Sequence, residues 1–190
     1  NLWNNSGNWS LGHSPLTTEV VSIPSGTPHD PDLVVYGASC NNLTIAFGTN
    51  LGIYGKEIHV YGNASISGSF YFDDALSFLT VDGNISWNNG SSVDTWGPST
   101  PGQTQIKVRG DWTFMAGSQV SLEPLRVELN GTSPSVIKCY STTSSFYRLE
   151  IIKENSYVTF SSLSTVDMKI DHNLWIGGTG FENSELRSES

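Results

Sequence analysis

One short signature recurs along this chain at nearly constant spacing, and it limits the fold more than any other feature. Val60-Tyr61-Gly62-Asn63, Val81-Asp82-Gly83-Asn84, Val108-Arg109-Gly110-Asp111 and Leu129-Asn130-Gly131-Thr132 each set an apolar residue two positions before a glycine and a polar residue after it. The glycines lie 21, 27 and 21 residues apart. The longest interval holds the Pro/Gly/Ser/Thr-rich stretch 97–103, which reads as a loop inserted into one unit. A second apolar-alternating run follows three of these signatures: Ala64-Ser65-Ile66, Ile85-Ser86-Trp87 and Trp112-Thr113-Phe114. Each unit therefore reads strand, glycine corner, strand, looser turn. A coil of that size cannot bury its own apolar side chains, but stacked coils can, so a period near twenty with a corner glycine predicts a parallel β-solenoid.

Period-2 alternation supports this reading over Leu43–Phe47, Glu57–Tyr61, Phe78–Val81, Gln105–Val108, Leu125–Leu129, Tyr147–Ile152, Tyr157–Phe160 and Met168–Ile170, while helical periodicity is nearly absent. The expected class is all-β, a parallel β-helix with an N-terminal cap. An antiparallel β-sandwich is the alternative, favoured only by the hairpin signal Asn88-Asn89-Gly90. Abundant Gly and Asn are expected to supply the left-handed backbone that tight corners demand. Residues 1–39, with Trp3, Trp9 and four of the eight prolines, read as the cap over one open end. Residues 40–180 carry the repeats and 181–190 form a polar tail.

Composition narrows the function classes. Only 14% of residues are charged, the net charge is −9, and nine Lys and Arg are scattered without a basic stripe, which argues against a nucleic-acid partner. No apolar run is long enough to span a bilayer as a helix, so no membrane insertion is expected. The chain opens at Asn1 as though a leader had been removed, giving the expectation of a secreted, extracellular or cell-surface protein. Cys40 and Cys139 fall several units apart and are expected to be two separate buried thiols.

The opening Asn8-Trp9-Ser10-x-Gly12-x-x-Pro15, followed by Ile23-Pro24-Ser25-Gly26, resembles the start of the repeat regions in a loose family of large secreted bacterial β-repeat proteins. The segments 108–112, 127–131 and 146–151 are similar to the family's recurring units. The resemblance spans nearly the whole chain. It implies an extracellular solenoid within an adhesin, fibre or surface layer, and implies no catalytic residues. The chain departs from the pattern in stopping soon after Gly178-Thr179-Gly180 without a recognisable sorting domain.

The search for chemistry yields little. No nucleophile elbow, zinc helix, phosphate loop or dinucleotide fingerprint occurs. His13, His29, His59 and His172 stand apart from one another, and the cluster His29-Asp30-Pro31-Asp32 offers few of the oxygens a calcium ion needs. Asp73-Asp74, Asp82 and Asp111 read as solvated corner carboxylates rather than a glycosidase pair. The chain is therefore expected not to be an enzyme and to need no cofactor or metal. The leading expectation is a structural or adhesive protein that forms a homo-oligomer or polymer, with Leu174, Trp175 and Ile176 as its assembly edge.

A carbohydrate-binding module, or a polysaccharide-active β-helix enzyme, is the alternative. Among Tyr54, Tyr61, Phe70, Tyr71, Phe72, Trp87, Trp96 and Trp112, the rings of Trp96, Trp87 and Tyr71 are the candidates for stacking on extracellular glycans, although most aromatics should fill the core. Sequons at Asn4, Asn8, Asn42, Asn63, Asn84, Asn89 and Asn130 make these the possible N-glycosylation sites, several of them by-products of the corner motif.

Overall fold

The computed structural model describes residues 2–73, 76–96, 103–162, 165–177 and 185–188, with the side chains of Trp96 and 185–188 outside the description. The loop 97–102, Asp74 and Gly178–Gly180 also lie outside it, as does most of the tail. The chain is a parallel β-solenoid of about seven turns.

Its strands fall into three sheets, one per face of the coil. The first face stacks β1 (Val21–Ile23), β4 (Leu43–Ile45), β7 (Ala64–Ile66), β10 (Ile85–Trp87), β13 (Trp112–Phe114), β15 (Ser135–Cys139), β17 (Tyr157–Ser162) and β19 (Glu185–Ser188). The second stacks β2 (Asp32–Leu33), β5 (Asn50–Tyr54), β8 (Ser69–Asp73) and β11 (Ser92–Trp96). The third stacks β3 (Ala38–Cys40), β6 (Glu57–Val60), β9 (Phe78–Val81), β12 (Gln105–Val108), β14 (Arg126–Gly131), β16 (Ser145–Lys153) and β18 (Lys169–Ile176). The first coil thus starts at Val21, and the segment 1–39 holds both a cap and most of that coil.

Parallel pairing in register lines up the inward residues into ladders about 4.8 Å per step. On the third face Cys40, Val60, Val81, Val108, Leu129 and Ile151 form one such ladder, all of them buried. On the first, Ile45, Ile66, Trp87, Phe114 and Cys139 form another. Aromatic side chains carry contact from coil to coil: Phe70 meets Trp87 at 5.9 Å, Trp87 meets Trp112 at 5.8 Å, and Trp112 meets Phe146 at 5.1 Å. Cys40 and Cys139 are separate, buried thiols, and burial pushes Cys40 up to about 12.

The N-terminal end is closed by Trp3, which is 1% exposed and packs edge-on against Trp9 at 4.8 Å. The Trp3 backbone N–H donates to the Asp32 carbonyl at 2.9 Å, covering the outer edge of β2.

The recurring glycine signature marks the corner between the third and first faces. Gly62, Gly83 and Gly110 do not occupy the left-handed region expected for them. They are glycine because the coil below comes too close. A Cβ on Gly62, Gly83 or Gly110 would sit 2.3, 2.4 and 2.4 Å from the Oδ1 of Asn42, Asn63 and Asn84, respectively. Those amides form a ladder, since the backbone N–H of Asn63, Asn84 and Asp111 donates to the Oδ1 of Asn42, Asn63 and Asn84 at 2.7–2.8 Å. Asp111 continues it, accepting from the Val136 N–H at 2.8 Å. Each side chain so satisfies a corner donor that strand pairing leaves over.

Left-handed glycines lie instead at the corner between the first and second faces, where Gly26, Gly48, Gly90 and Gly117 have φ of +77°, +76°, +81° and +82°. Asn88-Asn89-Gly90 belongs to this corner, and it joins strands of different sheets rather than a hairpin.

Candidate functional site

Outward positions of the second face form three parallel rows, because each strand there pairs residue for residue with the next. Asn50, Ser69 and Ser92 make the first row. Asp32, Gly52, Tyr71 and Asp94 make the second, and Tyr54, Asp73 and Trp96 the third. The lower half of this face, with the loop before β2, encloses an open groove of about 550 Å³ lined by Asp30, Asp32, Asn50, Tyr54, Tyr71 and Asp94 among others.

Gly52 shapes the floor. A Cβ there would meet the Asp32 Oδ1 at 2.5 Å and Cε2 of Tyr54 at 2.6 Å, so the missing side chain is what lets the Tyr54 ring fold across the sheet toward Asp32. The ring covers a backbone that glycine would otherwise leave bare. Tyr71 lies beside it, with ring centroids 6.0 Å apart at 52°. Desolvation first, then the negative charge of Asp32, pushes the Tyr54 phenol up, and its hydroxyl donates to that carboxylate. Tyr71 is pushed up by desolvation and by Asp73 and Asp94. The Asn50 amide donates to the Asp30 carboxylate at 2.8 Å, tying the loop to β5. The groove therefore offers two phenol rings among carboxylate, amide and hydroxyl groups, under a negative field.

Of the aromatic residues named from sequence, Tyr54 and Tyr71 stand in this groove, and Tyr71 is one of the three candidates for stacking. Trp96 occupies the third row by register, and its side chain lies outside the description. Trp87 is a correction: it is 0% exposed between Phe70 and Trp112, where its ring fills the core and cannot present a face to a ligand. Phe70, Phe72 and Trp112 are buried too, while Tyr61 stacks on His59 at 4.1 Å away from the groove.

Two other acidic candidates face basic side chains. Asp82 pairs with Arg109 at 2.9 Å and lies 3.1 Å from the His59 Nε2, linking three coils of the third face, and Asp111 faces Lys138 at 3.9 Å. Asp73 borders the groove and Asp74 is not described. Among the described residues, no group of three or more His, Cys, Asp or Glu is placed to hold a metal ion.

Five of the seven sequon asparagines have assigned contacts. Asn42, Asn63 and Asn84 are the rungs of the corner ladder. Asn8 donates to the Leu2 carbonyl at 2.8 Å and Asn130 to Glu128 at 2.8 Å. Asn4 and Asn89 are exposed, in the cap and at the corner beside Gly117.

The predicted assembly edge falls on β18, the last strand of the third face, bonded to β16 along one side. Leu174 and Ile176 are in register with the buried Leu149 and Ile151, so they stand at inward ladder positions. Leu174 is nevertheless 45% exposed, as is Trp175, for want of a described strand above them.

Sequence reasoning did not assemble Asp32, Asn50, Gly52 and Asp94 with Tyr71. The usable signal was alternation within β5, β8 and β11, which assigns outward positions but not which of them share a row. Compared with protein families, curated proteins and solved structures, the chain finds no match in any of the three.

Proposed function

We propose that this chain is an extracellular structural or adhesive element, a stiff solenoid that extends by seating a strand of a second copy on β18. The observation that carries this reading is the unroofed ladder of β18. Leu149 is fully buried one coil below, whereas Leu174 at the same position is 45% exposed. Among the described residues no strand pairs with the outer side of β18, and such an edge presents backbone groups and apolar side chains together, the combination that templates strand addition. The opposite end, closed by Trp3 and Trp9, gives the rod a direction. Low charge density and Asn/Ser/Thr-rich corners suit an extracellular location.

Sedimentation velocity and electron microscopy over a range of concentrations test this. Oligomers or filaments are expected from the native chain, and Leu174→Lys should abolish them while leaving the β circular-dichroism spectrum intact. Monomers at every concentration would remove the reading.

A further inference from the structure

The second-face groove is distant in the fold from β18, and what it holds does not depend on how the rod assembles. We propose that it is a binding site for a linear glycan free of carboxylate and sulfate groups. Three features of the groove point to that chemistry.

Its apolar surface is aromatic and paired. Tyr54 is folded over Gly52 with its hydroxyl on Asp32, and Tyr71 stands next to it at 6.0 Å. Two adjacent rings, tilted 52° to each other, each give the C–H face of a sugar a surface to stack on, and the seat of Tyr54 on Asp32 lowers the entropy that ring loses on binding.

Its polar surface is acceptor-rich. Asp30, Asp32 and Asp94 carry carboxylates, Asn50 an amide, and all line one hollow of about 550 Å³. Carboxylates accept from several hydroxyls at once, which suits a polyhydroxylated ligand better than an apolar one. The row of Asn50, Ser69 and Ser92 runs alongside, with the two serine hydroxyls hydrogen-bonded at 2.7 Å. Because each row crosses one strand per coil, the groove runs along the solenoid axis across the four strands of the second face, the shape that a short linear chain of sugars requires.

Its charge sets the specificity. Four aspartates, counting Asp73, surround the two tyrosines, and the charges of Asp32, Asp73 and Asp94 add to desolvation in pushing the phenols up. A uronate or sulfated sugar entering here meets like charge in a concave, partly desolvated space and is rejected.

The test is isothermal titration of the full chain with neutral gluco- and manno-oligosaccharides, with oligogalacturonate, and with a Lys-rich peptide. Neutral oligosaccharide should bind and oligogalacturonate should not. Tyr71→Ala should weaken neutral-glycan binding about tenfold, and Gly52→Ala should do the same by driving Tyr54 off its seat. Tyr54→Phe keeps the ring and guards against misfolding in the larger changes; it should cost only about threefold. Asp94→Asn should begin to admit oligogalacturonate. Absence of neutral-glycan binding, binding unmoved by Tyr71→Ala, equal affinity for oligogalacturonate, or capture of the peptide alone would each overturn the assignment.

Discussion

Gly83 and Gly48, at the two glycine corners of this solenoid, are glycine for different reasons. Between the third and first faces, Gly62, Gly83 and Gly110 make room: the Asn ladder and the backbone of the coil below occupy the space a side chain would need. Between the first and second faces the left-handed backbone demands glycine: Gly26 and Gly48 have nothing within 4 Å of where a Cβ would sit, and only their φ near +77° excludes one, whereas a Cβ on Gly90 or Gly117 would also meet Phe47 at 2.6 Å or the Asn89 Oδ1 at 2.2 Å. A recurring glycine thus reports contact between coils, curvature within one, or both, and spacing does not tell which. Where the contact corner changes, at Gly131, φ becomes +94° and the nearest atom is Arg109 Cβ at 3.5 Å. The Asn ladder gives out there, and Lys153 takes over. Its ammonium donates to the carbonyls of Arg109 and Asn130 at 2.8 and 2.6 Å and to the Ser135 hydroxyl at 2.6 Å.

The largest effect is expected at the contact corner. Gly83→Ala should cost about 3 kcal/mol, the upper range for overpacking a close-packed site. Adding Asn63→Ala should not restore the loss, because the Gly62 carbonyl would still lie 2.5 Å from the new methyl. Urea denaturation reads both; rescue by the second change would mean the amide alone, not the backbone, excludes a side chain.

Lys153→Met should rank next, at about 2 kcal/mol, since it leaves buried acceptors without a donor. This difference should depend on pH. Desolvation lowers the Lys153 pKa from 10.5 to about 8. Between those values the unfolded chain holds a proton that the folded chain has released, so stability rises with pH through that window. The gap between native and variant should therefore widen from pH 7.5 to 10. Parallel curves would show that the amine is not desolvated in the folded chain.

The smallest effect belongs to the curvature corner. Gly48→Ala should cost about 1 kcal/mol, the backbone term alone for a left-handed residue. Gly48→Asn should cost less than Gly48→Ala, because Asn tolerates that region. At Gly83 the order reverses, since Asn is larger, and matching orders at the two sites would collapse the distinction between them.

Much of the architecture was legible before any coordinates. The spacing of Gly62, Gly83, Gly110 and Gly131 gave the coil length, and alternation in Glu57–Val60 or Gln105–Val108 gave the buried face of each strand. The corner row at Gly26, Gly48, Gly90 and Gly117 was missed because no constant apolar residue precedes those glycines. Trp87 illustrates a second limit: in Ile85-Ser86-Trp87 alternation puts Ile85 and Trp87 on one side, but composition could not say that this side was the core. The groove was the least visible, since Asp32, Gly52, Tyr71 and Asp94 are 20, 19 and 23 residues apart and only the pairing register brings them into one row.

The sequence alone determined an all-β chain of short repeated units and favoured coiling and stacking, because its period is too short for a self-sufficient core and its apolar residues alternate. The tertiary structure alone decided which outward residues become neighbours. Coil lengths vary through their turns, and a change of one residue in register would exchange inward for outward along a strand. Local pattern is set by bonds within a strand, whereas a site spread over successive coils is set by hydrogen bonds between them.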